Sequence, residues 1–312
     1  MKNVWRTHRL YGVSLESDFP FTSYLEKGEG PADLIFALTQ GPPELIPFRS
    51  IPSIYQSLKR TQSGASLCSL YRLEPYEVLS FPELADFYLQ PEQIACHTQA
   101  SELDPFVEIR LLGPVLSYWL EQRGFPTLHA SAVEAGGQAV AFLSSRGGGK
   151  TGLAAAMMRA GHPLLTDDVL PVEERDGIFL GRPGYPQMKM WPDEAGYFLG
   201  SFEDLALVHP SLSKRRVPVD KFQGSSVPLA RLYLPERREG GPIEIREVSP
   251  RDAFIELVRH SFSPNLVEAA GLQAGRTEVF ARLVTRVPVR RLLYPSGFEH
   301  LERVVAAILG DL

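Results

Sequence analysis

Cysteine is almost missing from this chain: Cys68 and Cys96 are the only two in 312 residues. Both stand among apolar neighbours, which reads as buried free thiols in a reducing compartment rather than as a disulfide. No apolar run approaches the roughly 18 residues that a membrane helix needs. The opening Met1-Lys2-Asn3-Val4-Trp5-Arg6 has no apolar signal-peptide core, so the expectation is a cytoplasmic protein without a membrane partner. An excess of positive charge is missing too. The formal net charge of −5 and a pI near 5.9 argue against a general nucleic-acid binder. No tandem repeat or low-complexity stretch occurs. What is present, 44% hydrophobic and 22% charged residues, suits a globular protein of one large or two modest domains.

The most informative stretch is Ala139-Val140-Ala141-Phe142-Leu143-Ser144-Ser145-Arg146-Gly147-Gly148-Gly149-Lys150-Thr151. A short apolar run breaks into glycines and ends in Lys-Thr, and Gly152 to Ala160 follows with good helix formers. Strand, glycine loop and helix are the context of a phosphate-binding loop. Such a loop wraps backbone N–H groups around phosphate oxygens, places a helix N-terminus behind them and sends its lysine to the outer phosphates. Ser145, Arg146, Gly147, Gly148, Gly149, Lys150 and Thr151 are the nucleotide-binding candidates, with Thr151 also a magnesium ligand. Arg146 is expected to face the phosphates or the acceptor. Ser144 stands where the strict G-x-x-x-x-G-K-[ST] pattern has its first glycine. The bland alternative is a glycine-rich turn with a solvated lysine.

Arg159 to Asp168 then leaves the helix through Gly161 and Pro163, crosses two leucines and ends in Asp167-Asp168. In an open α/β sheet ligands sit at the carboxyl ends of the strands, where these carboxylates would meet Thr151. Alone, an Asp-Asp pair is more often a turn or helix cap than chemistry. His129, just after an apolar pair, is read either as a core histidine or as a site residue.

Leu128-His129-Ala130-Ser131, the loop ending in Gly149-Lys150-Thr151, and Arg159 to Asp168 together resemble, in order and spacing, the C-terminal kinase domain of HPr kinase/phosphorylase. Within that family the chain is most similar to the HPr-kinase-like proteins of lasso-peptide biosynthesis, which phosphorylate a serine of a precursor peptide. The resemblance implies an α/β P-loop domain of the HPr kinase (PEP-carboxykinase-like) type, with ATP and Mg²⁺ as cofactors. It makes Asp167 the base near the acceptor hydroxyl, His129 its neighbour, Lys150 the phosphate clamp, and Thr151 and Asp168 the metal side. It does not extend to a Glu-Ile-Arg-Gly signature, in whose place Gly181 to Trp191 stands, nor to a late Arg-Pro-Gly-Arg stretch. Neither phosphorylase activity nor recognition of HPr is therefore implied.

Before this domain, residues 1–103 read as a small β-rich unit of short runs at 11–15, 32–38, 67–73, 76–81, 84–89 and 93–97. The last four suggest an antiparallel meander, and Gly41 to Pro52 a proline-rich loop. That unit is either a packing module or a platform for the phosphoacceptor. The boundary is expected near Asp104-Pro105, with residues 104–312 forming the kinase domain. Helices are expected at 111–120, from Ser249-Pro250, at 265–283 and at 298–309. Lys189, between Met188 and Met190 on a strand, and one cation among Lys214, Arg215, Arg216 and Lys221 are candidates to face phosphate. The leading expectation is a serine kinase acting on a peptide, with a homo-oligomer admitted. A nucleotide-binding scaffold without transfer and a small-metabolite kinase are the rivals.

Overall fold

The computed structural model describes residues 4–40, 48–98, 103–145 and 147–312. It is a mixed α/β structure of two compact units, Met1–Arg123 with Ser263–Ala274, and Gly124–Phe262 with Gly275–Leu312. No described helix is long and apolar enough to cross a membrane.

The first unit carries a nine-stranded sheet. Ser69–Leu73, Tyr76–Phe81, Ala85–Leu89 and Gln93–Thr98 pair successively antiparallel, the meander that their close spacing suggests. Leu34–Gln40 runs parallel to both Val13–Ser17 and Gln93–Thr98. Tyr11-Gly12 belongs to no strand: both have positive φ and turn the hairpin between Arg6–Leu10 and Val13–Ser17. Of the expected proline-rich loop, 41–47 lies outside the described residues and Phe48–Ser50 is a short 3₁₀ turn.

The units divide at Gly124, whereas the sequence reading cuts at Asp104. The reason is the apolar helical run Pro105–Glu121, which packs with the first unit. Its Val107, Leu111, Leu112, Val115, Tyr118 and Trp119 are buried. Tyr11 Oη donates to the Leu112 carbonyl (2.6 Å), and Trp119 Nε1 to that of Pro91 (3.2 Å). Cys68 and Cys96 are free; burial pushes the Cys68 thiol up to about 12, which keeps it inert.

In the second unit another nine-stranded sheet surrounds Gln138–Leu143. This strand is antiparallel to Ala130–Ala135 and parallel to Val227–Arg238, which is in turn parallel to Val289–Pro295. Side chains alternate between its faces. Val140 and Phe142 pack with Leu153, Met157, Val304 and Ile308, while Ala139, Ala141 and Leu143 pack with Leu232, Leu257, Phe280 and Leu283. Both faces are covered, and the strand is apolar from Ala139 to Leu143. Val227–Arg238 and Val289–Pro295 end level with each other, whereas Gln138–Leu143 stops about level with Leu234, and the glycine loop leaves from there.

Local capping follows the sequence. Ser249 Oγ accepts from Asp252 N (3.2 Å) ahead of Pro250–Arg259. The expected helix at 265–283 is two, Pro264–Ala269 and Gln273–Arg286, separated at Gly271 with φ +80°. Leu301–Asp311 follows a 3₁₀ turn at Phe298–His300 and buries Leu301, Val304, Val305 and Ile308.

Gly184 fixes the strand that carries the aspartates. Its N–H bonds the Leu165 carbonyl (2.8 Å), and a Cβ there would lie 2.3 Å from Thr166 Oγ1 and 3.3 Å from Thr166 Cα. Gly184→Ala is expected to destabilise the protein by about 1–3 kcal/mol through overpacking. Denaturant unfolding of both proteins measures this, and an unchanged midpoint would contradict the contact.

Candidate active site

The glycine loop joins Gln138–Leu143 to the helix Lys150–Arg159, giving the expected strand, loop and helix. Gly149 precedes the helix with φ +92°, and no side chain caps it. The first backbone N–H groups therefore lack an intrahelical or capping partner and present a partial positive charge to an anion. Gly148 is demanded by Ser144: a Cβ at Gly148 would stand 2.4 Å from Ser144 Oγ. The serine thus fills space beside the loop and makes the central glycine obligatory. Arg146 lies outside the described residues.

Lys150 is only 8% exposed. Its Nζ donates to the carbonyls of Ser144 (2.6 Å) and Ser145 (3.3 Å), so it buttresses the loop it belongs to. Burial pushes its pKa down against the pull of Asp168 and Asp167, with Lys214 pushing the same way as burial.

Strand register assembles the rest. Ala130 pairs with Leu143, so His129, one residue earlier, comes level with the start of the loop. Ala132 pairs with Thr166, which sets Ser131 beside Asp167. Asp167 is buried, and Oδ1 accepts from Ser131 Oγ (2.6 Å) and Thr151 Oγ1 (3.2 Å). Its Oδ2 accepts from the backbone N–H of Lys189 (3.0 Å).

Asp168 does not simply point to the other side of an extended chain. The strand ends at Thr166, whose Oγ1 donates to the Val169 carbonyl (2.6 Å) across the turn, and Asp168 has φ +91°. A non-glycine residue held there costs on the order of 1–3 kcal/mol and is common at functional sites. Its carboxylate reaches Lys189 Nζ (3.1 Å) and His129 Nδ1 (3.2 Å). Burial pushes the carboxyl up, but Lys189 and His129 outweigh this and hold it well below the usual carboxylate range. The Lys189 ammonium is held well above its usual range: burial pushes it down, but Tyr185 and Asp168 prevail.

His129 is fixed by its backbone N–H to the His260 carbonyl (2.7 Å), by the edge of Phe262, and by Nδ1 within 3.0 Å of the Asp168 carbonyl. Burial lowers its pKa more than the aspartates raise it. The ring is thus neutral near pH 7, with Nδ1 protonated toward Asp168 and Nε2 left as a proton acceptor.

The structure therefore brings together His129, Lys150, Thr151, Asp167 and Asp168 with the loop glycines. Two neighbours escaped the sequence reading. Ser131 closes the Leu128-His129-Ala130-Ser131 segment, where its residue type alone marks no role. Glu194 lies three residues past the Gly181 to Trp191 stretch, which itself holds no glutamate. It caps Pro192–Leu199 through Trp191 N–H to Oε2 (3.0 Å), and its Oε1 is 3.7 Å from where a Cβ of Gly152 would stand. Burial raises its carboxyl pKa, and Asp167 and Asp193 add to that. Proline at the first helical position with an acid two residues on was the available signal.

No family model and no curated protein matches the chain. Among solved structures, the HPr(Ser) kinase/phosphatase from Coxiella burnetii aligns at 12% identity and a TM-score of 0.33, over 59% of this chain and 94% of that one. Similarity of this order shows no family, and the site stands on its own residues.

The lowered His129 pKa fixes a sign. As pH falls below the ordinary histidine value of 6.5, the unfolded chain takes up this proton before the folded one does, so stability is lost on acidification. His129→Asn is expected to flatten the slope of stability between about pH 8 and 5. His8 and His260, also shifted down by burial, leave a residual slope of the same sign. Melting temperatures across that range are the measurement; identical slopes in both proteins would contradict a buried neutral ring.

Proposed function

We propose that the protein is an ATP- and Mg²⁺-dependent serine kinase that transfers the terminal phosphate to a serine hydroxyl of a peptide. The observation that carries this reading is the convergence on one uncapped helix N-terminus of Lys150, Thr151 and, 3.2 Å from the Thr151 hydroxyl, Asp167. A loop lysine, a loop hydroxyl and a strand-end carboxylate are the parts with which P-loop enzymes hold phosphates and magnesium. The peptide acceptor, of the lasso-peptide precursor class, and a cytoplasmic location rest on the motif resemblance and the sequence composition.

The residues fit magnesium by their chemistry. Thr151 Oγ1 and Asp167 Oδ1 are hard oxygens already sharing one proton. Among the described residues no group of three His, Cys, Asp or Glu could form an all-protein cage. Mg²⁺ needs none, being held by one or two carboxylates together with substrate phosphates. Bound there, it would neutralise charge on the β- and γ-phosphate oxygens.

The hydrogen bonds favour a division of labour opposite to the one the resemblance implies. Asp167, tied to Thr151, Ser131 and the Lys189 N–H, suits the metal side. Asp168, tied to His129, suits the acceptor side. There the serine Oγ attacks the terminal phosphorus, its proton passes to His129 Nε2, and the bond to ADP breaks. Asp168 steadies the imidazolium that forms. A carboxyl held so far down in pKa is a weak base, whereas the buried imidazole is well matched to neutral pH. Arg237 donates to the Gly147 carbonyl and helps to hold the loop.

Labelled ATP with serine peptides tests transfer; a scaffold would label nothing, and a metabolite kinase would ignore peptides. Lys150→Ala should abolish labelling, and because Lys150 is buried against loop carbonyls it should also lower the melting temperature slightly. Asp168→Asn, which removes the carboxylate that steadies the His129 imidazolium, is expected to slow transfer about a hundredfold or more at saturating Mg²⁺-ATP. Asp167→Asn should chiefly raise the Mg²⁺ concentration needed. The converse pair of results would restore Asp167 as the base.

A further inference from the structure

Four cations were candidates to face phosphate from the strands beyond the aspartates, together with Lys189. The structure accounts for most of them. Lys189 is paired with Asp168. Arg215 donates to the Leu205 carbonyl (3.0 Å) and lies over Phe202. Arg216 is buried and donates to the Val208 carbonyl (3.0 Å). Lys221 lines an apolar cavity of about 280 Å³ with Ala155, Met158, Met188 and Val217, along the flank of the loop helix.

Lys214 is different. Leu212–Pro218 pairs antiparallel with Gln187–Met190, Lys189 opposite Arg216 and Met190 opposite Arg215. One further step brings Lys214 level with Trp191, and its Nζ stands 5.1 Å from the indole centroid. Among the described residues this half-buried ammonium makes no ion pair and no hydrogen bond. A cation over an indole is held in place while its charge stays available.

Its surroundings are those of the site. The neighbouring strand supplies the Lys189 N–H to Asp167, and Trp191 N–H binds Glu194, whose other oxygen lies toward Gly152 in the first turn of the loop helix. The charge of Lys214 is felt by Lys150, Asp168 and Glu194.

We propose that Lys214, held over Trp191, is a second phosphate-binding cation that takes the terminal phosphate of the bound nucleoside triphosphate and so distinguishes it from a diphosphate. This rests on the reading of the loop as a nucleotide site. Lys150 comes from the helix and Lys214 from a strand on the Trp191 side, so the phosphoryl group meets charge from two elements. The oxygens of a phosphoryl group in transfer carry spread negative charge, and a fixed cation beside them stabilises the transition state.

Calorimetric titration of Mg²⁺-ADP and of a non-hydrolysable Mg²⁺-ATP analogue into wild type, Lys214→Met and Lys214→Arg separates the cases. Lys214→Met should weaken the triphosphate about ten- to hundredfold, the scale of one lost charge-assisted hydrogen bond. Its diphosphate affinity and melting temperature should stay near wild type, and Lys214→Arg should recover part of the preference. If wild type prefers triphosphate and Lys214→Met keeps the same ratio, the assignment of Lys214 is overturned while the nucleotide site stands. Equal loss of both nucleotides in Lys214→Met also overturns it. If wild type binds neither nucleotide, the reading of the loop fails and this inference fails with it.

Discussion

The hydrogen bonds of the Asp167 carboxylate hold the candidate site together. Three chain segments meet on it: Ser131 from Ala130–Ala135, Thr151 from the loop helix, and the Lys189 backbone from a separate three-stranded sheet. A buried carboxylate is costly unless its lone pairs are used, and here one carboxylate uses donors from all three segments. This places the uncapped helix end, the His129–Asp168 pair and the Lys189–Trp191 stretch around one point.

The three cations around that point are held in three different ways. Lys150 is closed onto loop carbonyls, Lys189 onto Asp168, and Lys214 rests on an indole. Neutral carbonyls are weaker partners for an ammonium than phosphate oxygens. Lys150 therefore gains by leaving Ser144 for a phosphate, whereas Lys189 already has a carboxylate. The left-handed φ of Asp168 is the local strain that lets one turn aim two successive carboxylates at the Lys189 backbone and ammonium.

What was legible in the sequence was what is local. The apolar run into Gly147-Gly148-Gly149-Lys150-Thr151 named its own strand, loop and helix, and Leu164 to Asp168 named a strand ending in carboxylates. The meander of the first unit was legible because its turns are short. Arg6–Leu10 was missed because Arg-Thr-His-Arg-Leu has no apolar alternation. The helical run from Pro105 packs with the first unit through partners such as Tyr11 and Pro91, which are far away in sequence and so leave no local signal of that packing. Lys214 could not be singled out from Arg215 and Arg216 because only pairing with Gln187–Met190 decides which of them faces Trp191. The roles of the two aspartates depend on a backbone angle that no residue type at that position announces.

The most direct measurement is a crystal structure with magnesium and a non-hydrolysable ATP analogue. Lys150 Nζ should have left the Ser144 carbonyl for the outer phosphates, with the phosphates over the first turn of Lys150–Arg159 and the metal beside Thr151 and Asp167. A nucleotide bound elsewhere, with Lys150 still closed on Ser144, would contradict the phosphate-loop reading.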